Sequence, residues 1–125
     1  MQDVVIGMLF KDGKLLVGQR LTKPFIGCFE CPGGKVEVNE SLFDALKREF
    51  IEEGACLIQS AKMVFDYPVE YLNLHLYWFV VETDQEFKPI IYKQLHYIQV
   101  DQVDDLAWIN HNLPYRQAIK ACFKK

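Results

Sequence analysis

Residues 33–56, GGKVEVNESLFDALKREFIEEGAC, constrain the fold more than any other stretch of this chain. Asn39 is a favoured N-cap and Gly54 a favoured residue just beyond a helix, so the pattern predicts a helix over residues 39–53. Apolar residues recur at helical spacing and form a stripe that would pack on the rest of the domain: Leu42, Ala45 and Leu46.

Three glutamates, Glu49, Glu52 and Glu53, continue this apolar stripe toward the end of the helix. Carboxylates three and four residues apart on one helix face repel each other. Arg48 could orient one carboxylate but could not neutralise all three, so an inward acidic face needs another counter-charge. Ligands that are all oxygen favour a hard divalent cation, Mg²⁺ or Mn²⁺, over zinc. The alternative is an amphipathic helix whose acidic end faces solvent.

The residues before the helix favour the metal-site interpretation. Pro32, Gly33 and Gly34 predict a tight turn that brings backbone amides and carbonyls close to a ligand. Such a turn ahead of a helix N-terminus suits anionic or metal-bound groups.

The whole segment resembles the Nudix box, G-x5-E-x7-R-E-U-x-E-E-x-G-U, in which U is a bulky apolar residue. The glycine and charged positions that match in register are Gly34, Glu40, Arg48, Glu49, Glu52 and Glu53. The second glycine position holds Ala55, with Gly54 one residue earlier, and Phe50 and Cys56 fill U positions. We therefore expect the end of the helix to differ from the family pattern and the acidic set to be intact.

Length and composition limit the class of protein. At 125 residues we expect one domain spanning residues 1–125. No apolar run approaches the ~18 residues of a membrane span, and the N-terminus MQDVVIGMLF lacks a signal peptide's basic region and cleavage site. These features predict a cytoplasmic protein that does not enter a membrane.

A net charge of −3 argues against long nucleic acid as a partner and favours a small anionic substrate. The oligomeric state is not indicated.

The cysteines do not predict a zinc or redox site. Cys28 and Cys31 have C-x-x-C spacing, but no second pair completes a zinc site. In an extended segment, residues three apart point to opposite faces. Reduced thiols are the expectation for a cytosolic protein.

Apolar and alternating runs predict strands on both sides of the box helix: residues 4–10, 14–20, 28–31, 57–67, 72–82 and 90–100. Asp12-Gly13 is a hairpin signal between the first two. Residues 72–82 are apolar or aromatic on both faces, which predicts a central strand covered on both sides. A final helix is predicted over residues 114–123.

These elements predict an α/β fold with a mixed sheet, the box helix on one face and the C-terminal helix on the other. The Nudix resemblance implies the same α/β/α sandwich over the whole chain. It also implies hydrolysis of a nucleoside diphosphate linked to another group X. Glu49, Glu52 and Glu53 would be the catalytic metal ligands, joined by the carbonyl of Gly33. Arg48 would orient Glu49.

Glu40 stands at the start of the helix, where the resemblance implies a structural role. It would accept hydrogen bonds from loop amides rather than bind metal, which also suits the helix dipole. Gly34 is the first glycine of the motif and would likewise be structural.

The resemblance is strongest to MutT-like nucleoside triphosphate pyrophosphohydrolases, which share the Phe29-Glu30-x-Pro32-Gly33-Gly34-Lys35 pattern. Arg20 matches a phosphate-binding arginine of these relatives, with an ordinary exposed strand-end cation as the alternative, and Lys35 has the same two interpretations. Cys31 stands where relatives often have a phenylalanine that lines the base pocket. Asn110 or Asn112 could match a late asparagine that reads the base.

The general base is left open by the sequence. Many Nudix proteins add a carboxylate from a late loop, but no Asp or Glu occurs over residues 87–100. Either a box glutamate, Glu52 or Glu49, accepts the proton, or His96 does.

Three functions remain: a hydrolase of (possibly oxidised) nucleoside triphosphates, a hydrolase of another pyrophosphate-linked nucleotide such as a dinucleoside polyphosphate, nucleotide sugar or ADP-ribose, and a non-catalytic nucleotide-binding domain. The intact acidic set weighs against the last.

Overall fold

The computed structural model describes residues 1–92 and 94–123, without the side chain of Asn110. The strands are β1 (Gln2–Lys11), β2 (Lys14–Gln19), β3 (Phe29–Glu30), β4 (Gly33–Lys35), β5 (Ser60–Val69), β6 (Leu74–Glu82) and β7 (Leu95–Ile98). The α-helices are α1 (Leu42–Gly54) and α2 (Arg116–Ala121), and 3-10 helices cover Glu70–Leu72, Val100–Asp105 and Asn110–Tyr115.

Strand β1 organises a mixed sheet with the order β3-β2-β1-β6-β5. It runs parallel to β6, from Gln2 opposite Leu74 to Leu9 opposite Val81. On its other edge β1 pairs antiparallel with β4 near its start and with β2 at its end. Strand β6 lies between β1 and β5, as its two apolar faces predicted. Strand β7 pairs with β2.

The strands have an apolar core on each face because successive side chains point to opposite sides. Val5 and Ile6 are consecutive, yet Val5 packs with Leu46 of α1 and Ile6 packs with Ile119 of α2. The predicted α/β/α sandwich is therefore confirmed, with one helix on each face of the sheet. None of the described helices is long and apolar enough to cross a membrane.

Both predicted ends of the box helix are wrong by one or more residues. The N-cap is Ser41 rather than Asn39, and its hydroxyl accepts a hydrogen bond from the amide of Asp44 at 3.1 Å. Asn39 instead adopts a left-handed φ of 65° in the preceding loop. At the other end Gly54 is still helical and Ala55 takes the left-handed cap, with a φ of 48°.

Packing explains why the glycine comes one residue before the cap. A Cβ on Gly54 would overlap the ring of Phe87, which lies against this turn of the helix. Gly54 is therefore required for close approach, whereas Ala55 holds a backbone conformation that costs a residue with a Cβ about 1–2 kcal/mol.

The tight turn predicted at Pro32, Gly33 and Gly34 is partly wrong. Gly33 and Gly34 belong to β4 and pair with Ile6 and Val5 of β1. A Cβ on Gly33 would overlap the carbonyl oxygen of Val5, so the glycine is needed for the close approach of two backbones.

Other boundaries also differ from the sequence prediction. The strand predicted over residues 28–31 is reduced to Phe29–Glu30, and that over 90–100 to Leu95–Ile98. Strand β5 begins and ends later than residues 57–67. The final α-helix begins at Arg116, because the chain through Pro114 forms the 3-10 helix Asn110–Tyr115.

Candidate active site

Helix α1 places two of its glutamates directly beside β4. A Cβ on Gly34 would overlap the carboxylate of Glu49, so this glycine leaves the space that the carboxylate occupies. The amide of Gly33 donates a hydrogen bond to Oε1 of Glu53 at 3.3 Å. The adjacent glycines Gly33 and Gly34 thus contact two glutamates that lie one turn apart on the helix.

Glu53 is a buried acid held by neutral donors. Its Oε1 also accepts a hydrogen bond from the hydroxyl of Tyr92 at 2.9 Å. Burial, followed by a hydrogen bond with Glu49, raises the pKa of Glu53 to about 9, against the lowering effect of Tyr92. Glu53 therefore favours its neutral form more than an exposed carboxyl does. A hard cation fits this position, because it would offset the charge of two adjacent oxygen donors.

Arg48 hydrogen-bonds to three carboxylates, where the sequence predicted that it would orient one. It forms a bidentate pair with Glu40, through Nε at 2.8 Å and Nη2 at 2.9 Å. Its Nη1 donates to Glu49 at 2.9 Å and to Glu52 at 3.2 Å, and Nη2 also donates to the carbonyl of Lys35 at 2.9 Å. The guanidinium therefore joins the start of α1, its acidic end and β4.

Glu40 has the loop contact that the sequence predicted. It accepts a hydrogen bond from the amide of Glu37 at 3.0 Å. Hydrogen bonds from Arg48 and from this amide lower the pKa of Glu40 to about 2.

The prediction that all three glutamates face inward is wrong for Glu52. Its side chain is 54% exposed, compared with 13% for Glu49. The buried face of α1 is centred on Leu46, Phe50 and Glu53, which leaves Glu52 on the flank beside Arg48. Among the residues described, no three His, Cys, Asp or Glu side chains stand together in a metal-binding arrangement. The acidic centre as it stands is the pair Glu49 and Glu53.

A cleft of about 390 Å³ opens beside β4. Its apolar wall comes from the strands β1 and β6 and includes Val4, Ile6 and Leu74. The predicted site residues that the fold brings to this cleft are Arg20, Cys31, Gly33, Gly34, Lys35 and Asn112. The side chain of Asn110, the other asparagine predicted to read a base, lies outside the described part of the chain.

Arg20 is fixed in the wall of the cleft and is not a freely exposed strand-end cation. Its Nη1 donates to both carboxylate oxygens of Glu30, at 3.0 and 3.2 Å, and its Nε donates to the carbonyl of Pro24 at 2.9 Å. Lys35 is exposed at the same cleft.

The lining of the cleft also includes buried polar groups. Asn112 is 1% exposed, and its Oδ1 accepts a hydrogen bond from the hydroxyl of Tyr67 at 3.3 Å. The neighbouring His111 was not predicted as a site residue, although it lies between the two candidate asparagines. Its Nδ1 is buried without a hydrogen-bond partner in the described structure, and its ring lies edge-on to Phe25. Burial and then the charge of Arg20 lower the pKa of His111, which favours a neutral ring.

Comparison with known proteins places this architecture in a family. A NUDIX domain model matches residues 1–121. The chain belongs to the Nudix family. The 8-oxo-dGTP diphosphatase of Buchnera aphidicola subsp. Schizaphis graminum is 31% identical over 114 residues, 90% of this chain and 85% of that protein.

Two further relatives agree with that placement. The ADP-ribose pyrophosphatase of Methanocaldococcus jannaschii is 47% identical over 49 residues, 39% of this Nudix chain and 29% of that protein. A solved MutT structure, from work on the Aliivibrio salmonicida and Vibrio cholerae proteins, matches with a TM-score of 0.84 at 22% identity and covers 98% of both chains. The predicted MutT-like Nudix hydrolase, an enzyme acting on phosphoric anhydrides, is confirmed.

His96, the predicted alternative to a glutamate base, lies away from the cleft of this Nudix hydrolase. It is exposed on β7, its Nε2 lies 3.0 Å from Oε1 of Gln94, and its ring lies edge-on to Phe29.

The cysteines form no disulfide in the described structure, and burial raises the pKa of the Cys31 thiol.

Tyr92, like His111, is a residue of this Nudix site that the sequence prediction missed. It lies within residues 87–100, a stretch considered only for a general base, and within the strand predicted over residues 90–100. The available signal was a tyrosine in an apolar run after a central strand. That signal does not identify which buried group the hydroxyl contacts.

Proposed function

We propose that this Nudix hydrolase converts a nucleoside triphosphate, normal or oxidised, to the monophosphate and pyrophosphate with the aid of Mg²⁺ or Mn²⁺. The observation that carries the proposal is a cleft lined by two cations, an apolar wall and buried polar groups, with the largely buried pair Glu49 and Glu53 beside its strand β4. A triphosphate has matching chemistry, because its phosphates are charged and its base is apolar with polar edges. The match to the Buchnera 8-oxo-dGTP diphosphatase over 90% of the chain supports the same substrate class.

The residues that would hold the cation are Glu49 and Glu53, with the carbonyl of Gly33 and the exposed Glu52 as further oxygen donors. When bound, the cation would neutralise the phosphate charge that otherwise repels an incoming water molecule. Arg48 fixes Glu49 and Glu52 relative to each other through its Nη1.

Hydrolysis requires a water molecule to form a bond to phosphorus, lose a proton and displace the leaving phosphate oxygen. Glu52 or Glu49 would accept that proton, because residues 87–100 contain no Asp or Glu and the exposed His96 has no hydrogen bond to the acidic pair in the described structure. The exposed carboxylate of Glu52 is accessible to water without breaking the buried pair.

Arg20 and Lys35 would bind the phosphates, and Cys31, Asn112 and the neutral His111 would surround the base. The contact of Nη1 with both oxygens of Glu30, which also lines the cleft, holds the Arg20 guanidinium in place before substrate binds. Cys31 occupies less volume than an aromatic side chain, so the base would be held by the apolar strand residues and by hydrogen bonds rather than by stacking at that position.

A second candidate function is hydrolysis of another pyrophosphate-linked nucleotide such as ADP-ribose. The observation that favours it is the match of 49 residues to the Methanocaldococcus ADP-ribose pyrophosphatase at 47% identity. That match covers 39% of this chain. It therefore supports a shared chemistry at the phosphates more than a shared group on the far side of the pyrophosphate.

Product analysis would decide between these functions. The protein is incubated with Mg²⁺ and a panel of nucleoside triphosphates, 8-oxo-dGTP, nucleotide sugars, dinucleoside polyphosphates and ADP-ribose, and released pyrophosphate and phosphate are measured. We expect pyrophosphate and monophosphate from triphosphates. Faster hydrolysis of ADP-ribose or a dinucleotide than of every triphosphate would contradict the proposal.

A matched pair of variants would locate the phosphates. Lys35→Gln should raise KM for the triphosphate about tenfold, because it removes a cation at the cleft. Lys14→Gln removes an equally exposed cation in the hairpin between β1 and β2 and should leave KM unchanged. An equal effect of both substitutions would indicate a general charge effect and would contradict the assigned role.

A further inference from the structure

The loop between β6 and β7 is attached to the last turn of α1. The amide of Lys88 donates to the carbonyl of Gly54 at 2.8 Å. Next to it, the ring of Phe87 fills the space that a side chain on Gly54 would occupy and lies edge-on to Phe50 of the same helix, with ring centroids 5.3 Å apart. The loop is therefore fixed on the turn of α1 that carries Glu53.

Tyr92 lies further along this loop and is buried between the sheet and the helix. A Cβ on Gly18 would overlap its ring, so β2 has a glycine where the ring packs. The ring also packs near Phe87. Gly18 on β2 and Phe87 on the same loop thus determine where the Tyr92 ring lies.

That hydroxyl donates to Oε1 of Glu53 at 2.9 Å, and the amide of Gly33 donates to the same oxygen at 3.3 Å. Two donors on one oxygen fix the rotation of a carboxylate about its last bond. A buried hydroxyl is also costly unless it is hydrogen-bonded, so the contact is strongly preferred once the ring is in place.

We propose that Tyr92 is a positioning residue that holds the Glu53 carboxylate in the orientation in which it binds a divalent cation. The inference rests on the proposed function, because it takes Glu53 as a metal ligand. Partners behind metal-binding carboxylates fix ligand orientation, and their loss typically lowers metal affinity by roughly 10- to 100-fold.

The substitution Tyr92→Phe distinguishes the contribution of the hydroxyl from that of the ring. The phenylalanine keeps the packing against Gly18 and Phe87 and removes only the bond to Glu53. Tyr97→Phe is the matched control, because Tyr97 packs against the same side of the sheet and has no contact with Glu53 among the described hydrogen bonds. Thermal unfolding in chelator would establish that all three proteins are folded.

The experiment is a direct titration of the metal-free protein with Mn²⁺ alone, without nucleotide. We expect Tyr92→Phe to raise the Kd for Mn²⁺ about tenfold and Tyr97→Phe to match the wild type. In a Glu53→Gln background, Tyr92→Phe should have no further effect on the Kd, because the positioned ligand is gone. A tyrosine that only stabilises the loop would change the unfolding temperature and leave the Kd unchanged.

An unchanged Kd in folded Tyr92→Phe would overturn the inference, as would wild-type protein that binds no Mn²⁺. The proposed function can fail independently of this inference. Protein that binds Mn²⁺ with a Tyr92-dependent affinity but releases no pyrophosphate from any triphosphate would contradict the proposed substrate and leave the role of Tyr92 intact.

Discussion

The carboxylate of Glu49 occupies the space in which a side chain on Gly34 would lie. The neighbouring Gly33 meets a different kind of atom, because a Cβ there would overlap the backbone carbonyl of Val5. The two adjacent glycines are therefore needed for different reasons, Gly34 for the position of the Glu49 carboxylate and Gly33 for the pairing of two strands.

This difference predicts opposite phenotypes for two neighbouring substitutions. Gly34→Ala should displace the flexible Glu49 side chain and lower kcat about tenfold or more while the unfolding temperature changes little. Gly33→Ala should destabilise the fold, because backbone cannot move aside as a side chain can. Activity assays paired with thermal unfolding would check both. Equal loss of stability in the two variants would contradict the distinction.

Glu53→Gln should lower kcat about a hundredfold or more, since it removes a proposed metal ligand, and each factor of ten corresponds to about 1.4 kcal/mol. The metal-free protein should stay folded, because the amide oxygen can still accept from Tyr92 and the amide is uncharged in this buried position. Single-turnover kinetics and denaturant unfolding in chelator would measure the two effects. A variant with wild-type kcat would show that the reacting centre lies elsewhere.

The pair between Arg48 and Glu40 predicts a loss of stability in acid. The pKa of Glu40 falls from an ordinary value of 4.5 to about 2 in the folded protein. Its contribution to stability is therefore present above about 4.5 and is lost as the pH falls toward 2. Glu40→Gln should be less stable than the wild type at pH 7, and the difference should shrink at pH 3. Urea unfolding at both pH values would test this. A difference that is constant with pH would indicate that the charge of Glu40 is not responsible.

The end of α1 offers a stabilising substitution. Ala55 has a φ of 48°, a conformation that glycine adopts without a Cβ penalty. Ala55→Gly should raise the free energy of unfolding by about 0.5–1 kcal/mol, after the greater flexibility of glycine in the unfolded chain is subtracted. Gly54→Ala is the matched control and should destabilise the protein, because its Cβ would overlap Phe87. Urea unfolding would measure both.

The position of His96 predicts that it is not the general base. His96→Ala should keep kcat within about twofold of the wild type, whereas Glu49→Gln or Glu52→Gln should lower it by at least about tenfold. Chelation of divalent cations should abolish turnover in the wild type. A large loss of kcat in His96→Ala, with unchanged Mn²⁺ affinity, would assign the proton transfer to the histidine.

The sequence by itself determined the elements that depend on local periodicity. The spacing of apolar residues placed Ala45 and Leu46 on the buried face of α1, and the same spacing brought Glu49 and Glu53 toward the sheet. The two apolar faces of residues 72–82 likewise predicted a central strand. These features were predictable because they follow from the angle between successive residues of a helix or strand.

Only the tertiary structure decided which groups meet between elements. It turned Glu52 toward Arg48, placed Asn112 in the same cleft as Cys31, and brought the hydroxyl of Tyr92 to Glu53. These contacts depend on how loops of irregular backbone lie across the sheet. Close packing fixes those positions, as where the rings of Phe87 and Tyr92 fill the spaces left by Gly54 and Gly18, and no periodic pattern in the sequence encodes such distances.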